Sequence, residues 1–298
     1  MTNQILYTLC PVCGSAGISK VLRVKDNTVS QEYFDIYHCR NCQVRFTQNP
    51  PSESVIGDYY KSESYISHTD TSKGLINRLY RFVRNFSINQ KKNLVENATG
   101  LKKANLLDVG SGTGYFAAAM KKAGWQVTGL EPDQGARKVA SQEHALQLLP
   151  VEELFNLPVS KFDAITLWHV LEHVYDVKKY MATFKKILTD NGKIFIAVPN
   201  YKSYDAEAYK EYWAAYDVPR HLYHFVPAAM QWLVKDSGLK IVDVRPMWFD
   251  SFYVSLLSTK YKNGSANWFS AIWTGLRSNL AAMNDVKKCS SLIYVISK

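Results

Sequence analysis

The sequence predicts an α/β protein: a doubly wound sheet carrying a small N-terminal ribbon. Three observations predict it. Strand-like apolar runs alternate with helical segments from Ala104 onward, a glycine-rich turn at Gly110-Ser111-Gly112-Thr113-Gly114 follows the first of those runs, and four cysteines fall as two Cys-x-x-Cys pairs within the first 42 residues. Alternation of strands and helices builds a mostly parallel sheet covered on both faces, with ligands at the carboxyl ends of the strands. At 298 residues, 47% hydrophobic and 21% charged, the chain is long enough for one large core plus a smaller module and too apolar for disorder. No apolar run approaches the roughly 18 residues of a membrane-crossing helix. Met1 to Leu6 contains no basic residue, so it does not read as a secretory signal, and a cytoplasmic location is expected.

The ribbon comes first. Cys10-Pro11-Val12-Cys13 and Cys39-Arg40-Asn41-Cys42 are separated by 25 residues. Each pair presents two thiolates from one tight loop, and two loops close a tetrahedral zinc site of Cys10, Cys13, Cys39 and Cys42. Four thiolates leave no open position for water, so the zinc is expected to be structural. Val21 to Val24 and Tyr33 to Tyr37 read as the strands between the knuckles. Two disulfides or a redox pair are the alternatives, which a reducing compartment and the presence of two pairs disfavour. Cys289 has no partner by spacing and reads as buried or incidental. The ribbon is bounded at 1–50 by Asn49-Pro50-Pro51-Ser52.

Residues 51–100 read as a helical, Tyr-rich, basic connector. From Lys73 to Lys103, eight basic residues (Lys73, Arg78, Arg81, Arg84, Lys91, Lys92, Lys102, Lys103) stand against one acid, Glu96, which places most of the +10 net charge here. Such a patch steers anionic partners. It is equally the solvated face of an amphipathic helix, because Leu75, Leu79, Phe82, Val83 and Phe86 recur at helical spacing. Tyr59, Tyr60, Tyr65 and His68 precede this helix and are placed to form a lid.

Residues 101–298 carry the alternating pattern. The expected strands are Ala104 to Val109, Trp125 to Leu130, a short one near Leu146 to Leu149, Phe162 to Leu167, Lys193 to Val198, Leu239 to Val244 and Ser291 to Ile296, with helices at 115–123, 133–142 and 176–189. Between the last two strands lies an aromatic-rich insert, 249–288. Phe252, Tyr253, Leu256 and Leu257 recur at helical spacing, as do Trp268, Phe269, Ile272, Trp273 and Leu276. Core packing is the expected use of these stripes, with an apolar substrate pocket or an interfacial membrane helix as the alternative.

The turn Asp108-Val109-Gly110-Ser111-Gly112-Thr113-Gly114 lets backbone approach a ligand. Glu131, at the end of the second strand and 17 residues past Gly114, is placed to accept both hydroxyls of a ribose. Tyr115 stands where a dinucleotide fingerprint has its last glycine, and Asp108 repels a pyrophosphate while suiting a cationic amino-acid end. S-adenosylmethionine fits these features better than a dinucleotide.

With Phe162-Asp163, Trp168-His169-Val170-Leu171-Glu172-His173-Val174, Asp190-Asn191-Gly192 and Val198-Pro199-Asn200 added to that turn and acid, residues 104–200 resemble a class I S-adenosylmethionine-dependent methyltransferase. The resemblance implies a seven-stranded sheet whose last strand is antiparallel. It places Asp108, Gly110, Ser111, Gly112 and Gly114 along the methionine end and sugar, Glu131 with Pro132 at the ribose, Val151 and Glu152 beside adenine, and Trp168 and His169 at the sulfonium.

An in-line methyl transfer requires a deprotonated nucleophile, and His suits that work near neutrality. Asp217-Val218-Pro219-Arg220-His221-Leu222-Tyr223-His224-Phe225 follows the fifth strand and gathers two histidines, so His221 is the candidate base, with Tyr223, His224 and His169 as further catalytic candidates. A structural His bonded across the loop is the competing reading of His221. Glu172 and His173 are expected to brace the following helix, and Tyr209, Tyr212, Trp213 and Tyr216 to wall an apolar or ring-shaped acceptor. A two-knuckle domain ahead of a methyltransferase domain resembles deoxysugar C-methyltransferases, in which a His base follows a Glu. Here His221 follows Arg220 instead. The LEHV segment resembles quinone-ring O-methyltransferases. The expected function is methyl transfer to a small molecule: a sugar, a quinone-like ring or a lipid-linked intermediate. The alternatives are an RNA methyltransferase using the ribbon and the basic helix, and a non-catalytic cofactor-binding scaffold.

Overall fold

A computed structural model describes residues 4–61 and 75–298, with side chains from residue 83 onward in the helix that begins at Leu75. Tyr65, His68 and Lys73 lie outside the described residues, as do the side chains of Leu75, Arg78, Leu79, Arg81 and Phe82.

The ribbon forms β1 (Ile18–Lys25), β2 (Tyr33–Cys39) and β3 (Arg45–Thr47), joined antiparallel. Helix α1 (Leu75–Thr99) leads into β4 (Asn105–Val109), α2 (Tyr115–Lys122), β5 (Gln126–Leu130), α3 (Gln134–His144), β6 (Phe162–Trp168), α4 (Val177–Ile187) and β7 (Leu188–Pro199). Leu106, Leu107, Ile165, Leu167, Ile194 and Ile196 are buried, because strands covered by helices on both faces must be apolar on both faces. After α5 (Tyr204–Tyr209) come β8 (Tyr223–His224), α6 (Pro227–Asp236), β9 (Lys240–Pro246), α7 (Asp250–Asn263), α8 (Trp268–Asn284) and β10 (Ser291–Ser297).

The main sheet has the order β5-β4-β6-β7-β10-β9, with β10 antiparallel to both neighbours and the β5-β4-β6-β7 pairings parallel. The doubly wound fold and its antiparallel last strand match expectation, but the count is six strands. The seventh, expected near Leu146 to Leu149, is a single parallel bridge from Leu149 to Leu130. Pro150 follows immediately and offers no N–H to continue the ladder. The order in which strands are added reverses between β4 and β6, which places the topological switch point at their carboxyl ends.

The ribbon's sheet extends beyond residue 50. Strand β3 pairs with β8, Arg45 opposite His224 and Phe46 opposite Tyr223, so a four-stranded antiparallel sheet joins the cysteine knuckles to the 217–225 loop.

The insert departs from expectation. Helices α7 and α8 form a hairpin whose inner faces are small residues: Ser251, Ser255 and Ser258 on one, Ala271, Gly275, Ser278 and Ala282 on the other. A Cβ on Gly275 would fall 2.6 Å from the Phe252 ring, so the two helices approach too closely for anything larger. The stripe of Trp268, Phe269, Ile272, Trp273 and Leu276 therefore points outward instead of into a core.

Candidate active site

The glycine turn leaves β4 at the switch point. Gly110 N–H and Ser111 N–H both donate to the Leu130 carbonyl, tying the turn to the end of β5. Gly110, at φ 71°, packs so closely on Val170 that a Cβ would lie 2.4 Å from its methyl. Gly112, at φ 54°, has no heavy atom within 4 Å of where a Cβ would stand, so backbone alone borders an open cradle.

Glu131 closes that cradle. It is 8% exposed; Oε2 accepts from Gly112 N–H at 2.7 Å and Oε1 from Asp133 N–H at 3.0 Å. Each oxygen keeps a lone pair for a hydroxyl donor, which is the donor-acceptor pattern a ribose diol needs. Asp108 is buried under the turn, accepts from Thr166 Oγ1 at 2.7 Å, and is pushed up to about 6 by burial. Pro132 is exposed beside Asp133, which caps α3 by accepting from Ala136 N–H. The 3-10 turn Val151–Asn156 follows the Leu149 bridge, with Val151 half-buried and Glu152 exposed. Trp168 ends β6 with its indole N–H buried and without a partner among the described residues.

One lysine of the basic run reaches this region. Lys91 of α1 holds its ammonium 4.6 Å over the Trp168 ring. Burial pulls it below the usual lysine range, against the opposing pull of Asp250 and Asp108. The basic helix is thus not wholly a solvated face: Arg84 also lies on a ring, 3.8 Å over Tyr115.

The turn after β6 gathers the histidines. His169, at φ 58°, donates from Nδ1 to Glu172 at 3.2 Å and from Nε2 to Asp250 at 2.8 Å. Burial opposes its charge, but the two carboxylates outweigh it and push the imidazolium up to about 10. With both ring nitrogens bonded to carboxylates, His169 has no lone pair turned to an acceptor in this arrangement. Glu172 and His173 do not brace α4, whose cap is Asp176, accepting from Lys179 N–H at 2.9 Å. Instead Glu172, His173 and His221 bring one ligand-type atom each within 4.8 Å of one another. Glu172 Oε2 is buried with no partner among the described residues.

His221 is 8% exposed, with Nδ1–H donating to the Ala215 carbonyl at 2.9 Å. That bond fixes the tautomer and makes Nε2 the nitrogen that carries the lone pair. The ring of His173 stands edge-on to it, centroids 4.6 Å apart. His173 Nδ1 lies 3.1 Å from the Arg220 carbonyl and 3.0 Å from the Tyr60 hydroxyl, and burial followed by the nearby His221 holds its pKa down to about 4.

The other loop candidates belong to the scaffold. Thr47 of the ribbon donates to the His221 carbonyl at 2.7 Å, so at 3.3 Å its oxygen accepts from His224 Nε2–H. Tyr223 donates to the Tyr175 carbonyl at 2.8 Å. Both His224 and Tyr223 are buried in β8, with their polar atoms bonded to the scaffold. Tyr209, Trp213 and Tyr216 are buried packing residues, the Trp213 indole donating to Asp205 at 2.7 Å, so of the expected acceptor wall Tyr212 alone is exposed. Arg220, 2% exposed, binds Asp217 at 2.6 Å and Asp26 of the ribbon at 3.2 Å, and donates to Thr28 and to the Tyr59 carbonyl. Spacing marked the glycine turn, Glu131 and His221. Lys91, Asp250, Thr47 and Asp26 carried no local signal, since each arrives from a distant element.

The four knuckle cysteines carry free thiols. Cys10 and Cys42 Sγ lie 3.6 Å apart, Cys13 and Cys39 Sγ 3.5 Å, and all four sulfurs lie within 4.8 Å of one another. Tetrahedral corners about 2.3 Å from zinc are about 3.8 Å apart, so this donor set fits that ion. Cys289 is buried and remote from the cluster, its thiol 3.8 Å from the Met247 carbonyl.

A doubly wound sheet with an open glycine turn at its switch point and a buried ribose-type acid on the next strand defines a Rossmann-like methyltransferase fold of class I. The chain belongs to the family described as "Methyltransferase domain", whose model matches residues 78–244, more than half its length. The ribbon and the hairpin lie outside that match. A protein of Idiomarina loihiensis named ubiquinone biosynthesis O-methyltransferase is 37% identical over 115 residues, 36% of this chain and 47% of the relative. A protein of the same name from Acinetobacter baylyi is 30% identical over 163 residues, 50% of this chain and 68% of the relative. The chain thus spans about half the length of the first of these relatives. Among solved structures, a magnesium protoporphyrin IX methyltransferase from Synechocystis with bound S-adenosylhomocysteine superposes with a TM-score of 0.53 at 13% identity, over 83% of this chain and 100% of that one. At that identity the likeness concerns the fold.

Proposed function

We propose that this chain transfers a methyl group from S-adenosylmethionine to a hydroxyl of an apolar, ring-shaped small molecule, with His221 as general base. The observation that carries the reading is the His221 tautomer: Nδ1–H is committed to the Ala215 carbonyl, which makes Nε2 the acceptor nitrogen, and the ring belongs to a cluster with the buried Glu172 carboxylate. Bound in the cradle, S-adenosylmethionine supplies an electrophilic methyl on a sulfonium. Glu131 holds the ribose hydroxyls, Asp108 the ammonium end, and Trp168 covers the reacting side. His221 Nε2 takes the acceptor's proton, and Glu172 stabilises the imidazolium that forms. The quinone-type acceptor rests on the names of the relatives. Zinc on Cys10, Cys13, Cys39 and Cys42 is structural in this reading, since it holds the sheet that ends in β8.

Calorimetric titration with S-adenosylhomocysteine tests the cofactor: binding is expected, weakened about 10- to 100-fold in Glu131→Ala, because a lost charged hydrogen bond is worth about 1.5–3 kcal/mol. No heat from zinc-loaded, folded protein overturns the reading. Methyl transfer to a catechol bearing an isoprenoid tail, and not to a nucleoside-diphosphate deoxysugar or RNA, tests the acceptor.

A further inference from the structure

A water-soluble helix ordinarily turns its large apolar side chains inward and its small or polar ones outward. Helix α8 does the reverse. Its inner face is Ala271, Gly275, Ser278 and Ala282, with the Ser278 hydroxyl donating to Asp205 at 2.8 Å. Its outer face carries two tryptophans and five further large apolar residues, among them Phe269 at 91% exposure and Met283 at 72%. They recur over the helix from Trp268 to Met283, and among the described residues no apolar partner covers them. Close packing through small residues with large side chains turned outward is how helices associate where the surroundings are lipid.

The charges around this face name its occupant. Residues 249–288 hold five cations, Lys260, Lys262, Arg277, Lys287 and Lys288, against Asp250 and Asp285. Asp250 is already engaged by His169. Lys260 and Lys262 end α7, next to the start of α8; Lys287 and Lys288 follow its end; and Arg277 stacks 4.8 Å over Trp273. A two-fold pairing of this face would set cation against cation at both ends. An anionic bilayer offers apolar depth for the aromatics and negative headgroups for their flanks. No helix among the described residues is long and apolar enough to cross a membrane.

We propose that the outer face of α8 docks this protein on anionic lipid bilayers. The hairpin begins at Asp250, which clamps His169, so a docked protein holds its candidate site next to the bilayer, where an apolar acceptor resides.

Sedimentation of the full chain with vesicles tests this: phosphatidylcholine alone, and equimolar phosphatidylcholine and phosphatidylglycerol. Co-sedimentation with the anionic vesicles, a blue shift of tryptophan emission on binding, and roughly tenfold or greater weakening in Phe269→Ser/Trp273→Ser are expected. Circular dichroism and S-adenosylhomocysteine binding of the variant report that it is folded. Failure to bind either vesicle overturns the proposal. So does a dimer in sedimentation velocity that the double variant dissolves, because that makes a second copy the occupant. The vesicle readout needs no turnover, so it fails or succeeds independently of the methyl-transfer reading.

Discussion

The Arg220 guanidinium lies 3.2 Å from the Asp26 carboxylate, joining positions 194 residues apart, and both side chains are shut away from water. Burial opposes ionisation of Asp26, but the N–H groups of Ser30 and Thr28 and the Arg220 charge hold its pKa down to about 2. Arg220 precedes His221, so the ribbon sets the loop that carries the candidate base. Asp26→Ala leaves a buried cation short of a partner, and a loss of about 3–5 kcal/mol in unfolding free energy is expected by denaturant titration. The native Asp26 contribution is fully present above the unfolded carboxyl pKa of about 4, and is lost as pH falls through about 2.

His221→Asn is expected to lower kcat by about 10²–10⁴, the range for a lost general base, with S-adenosylhomocysteine affinity unchanged. His224→Asn serves as its contrast. It removes the bond to Thr47 and is expected to lower thermal stability, with the pH dependence of turnover retained.

The pKa of His169 is raised to about 10, so its stabilising contribution is full below the unfolded value of about 6.5 and is lost as pH rises through about 10. Imidazole NMR is expected to show this ring protonated well above neutrality. Asp250→Asn removes the carboxylate at 2.8 Å, and the titration then moves down towards the ordinary histidine range.

Removing zinc is expected to release one ion per chain and to loosen more than the knuckles. Because β3 pairs with β8, hydrogen exchange is expected to rise at Tyr223 and His224 as well as in the ribbon, and turnover to fall in parallel. Exchange confined to residues before Asn49 runs against this coupling.

Local signals carried the nucleotide half of the site. The glycine turn and Glu131 are read from spacing because both sit at ends of consecutive strands, where backbone geometry dictates residue type. The cysteine pairs are read from spacing for the same reason. The strand alternation was legible too, apart from the edge segment that Pro150 stops at a bridge. The histidine cluster was half legible: the sequence shows four histidines near two loops but not how each ring is bonded. The Ala215 carbonyl commits Nδ1 of His221 and so makes Nε2 its acceptor nitrogen, two carboxylates immobilise His169, and Thr47 takes His224 into a sheet.

The amino-acid order by itself determined the fold class, the metal-type knuckles and the nucleoside-type turn, because each depends on residues within a few positions of one another. Only the tertiary structure decided that the ribbon's sheet runs into the candidate catalytic loop, that Lys91 and Asp250 enter the site, and that the aromatic stripe of α8 faces outward. Helical periodicity says that a face is apolar, but whether it turns inward depends on what its neighbour can pack. Here a helix of serines and a glycine contact made the inner face the small one.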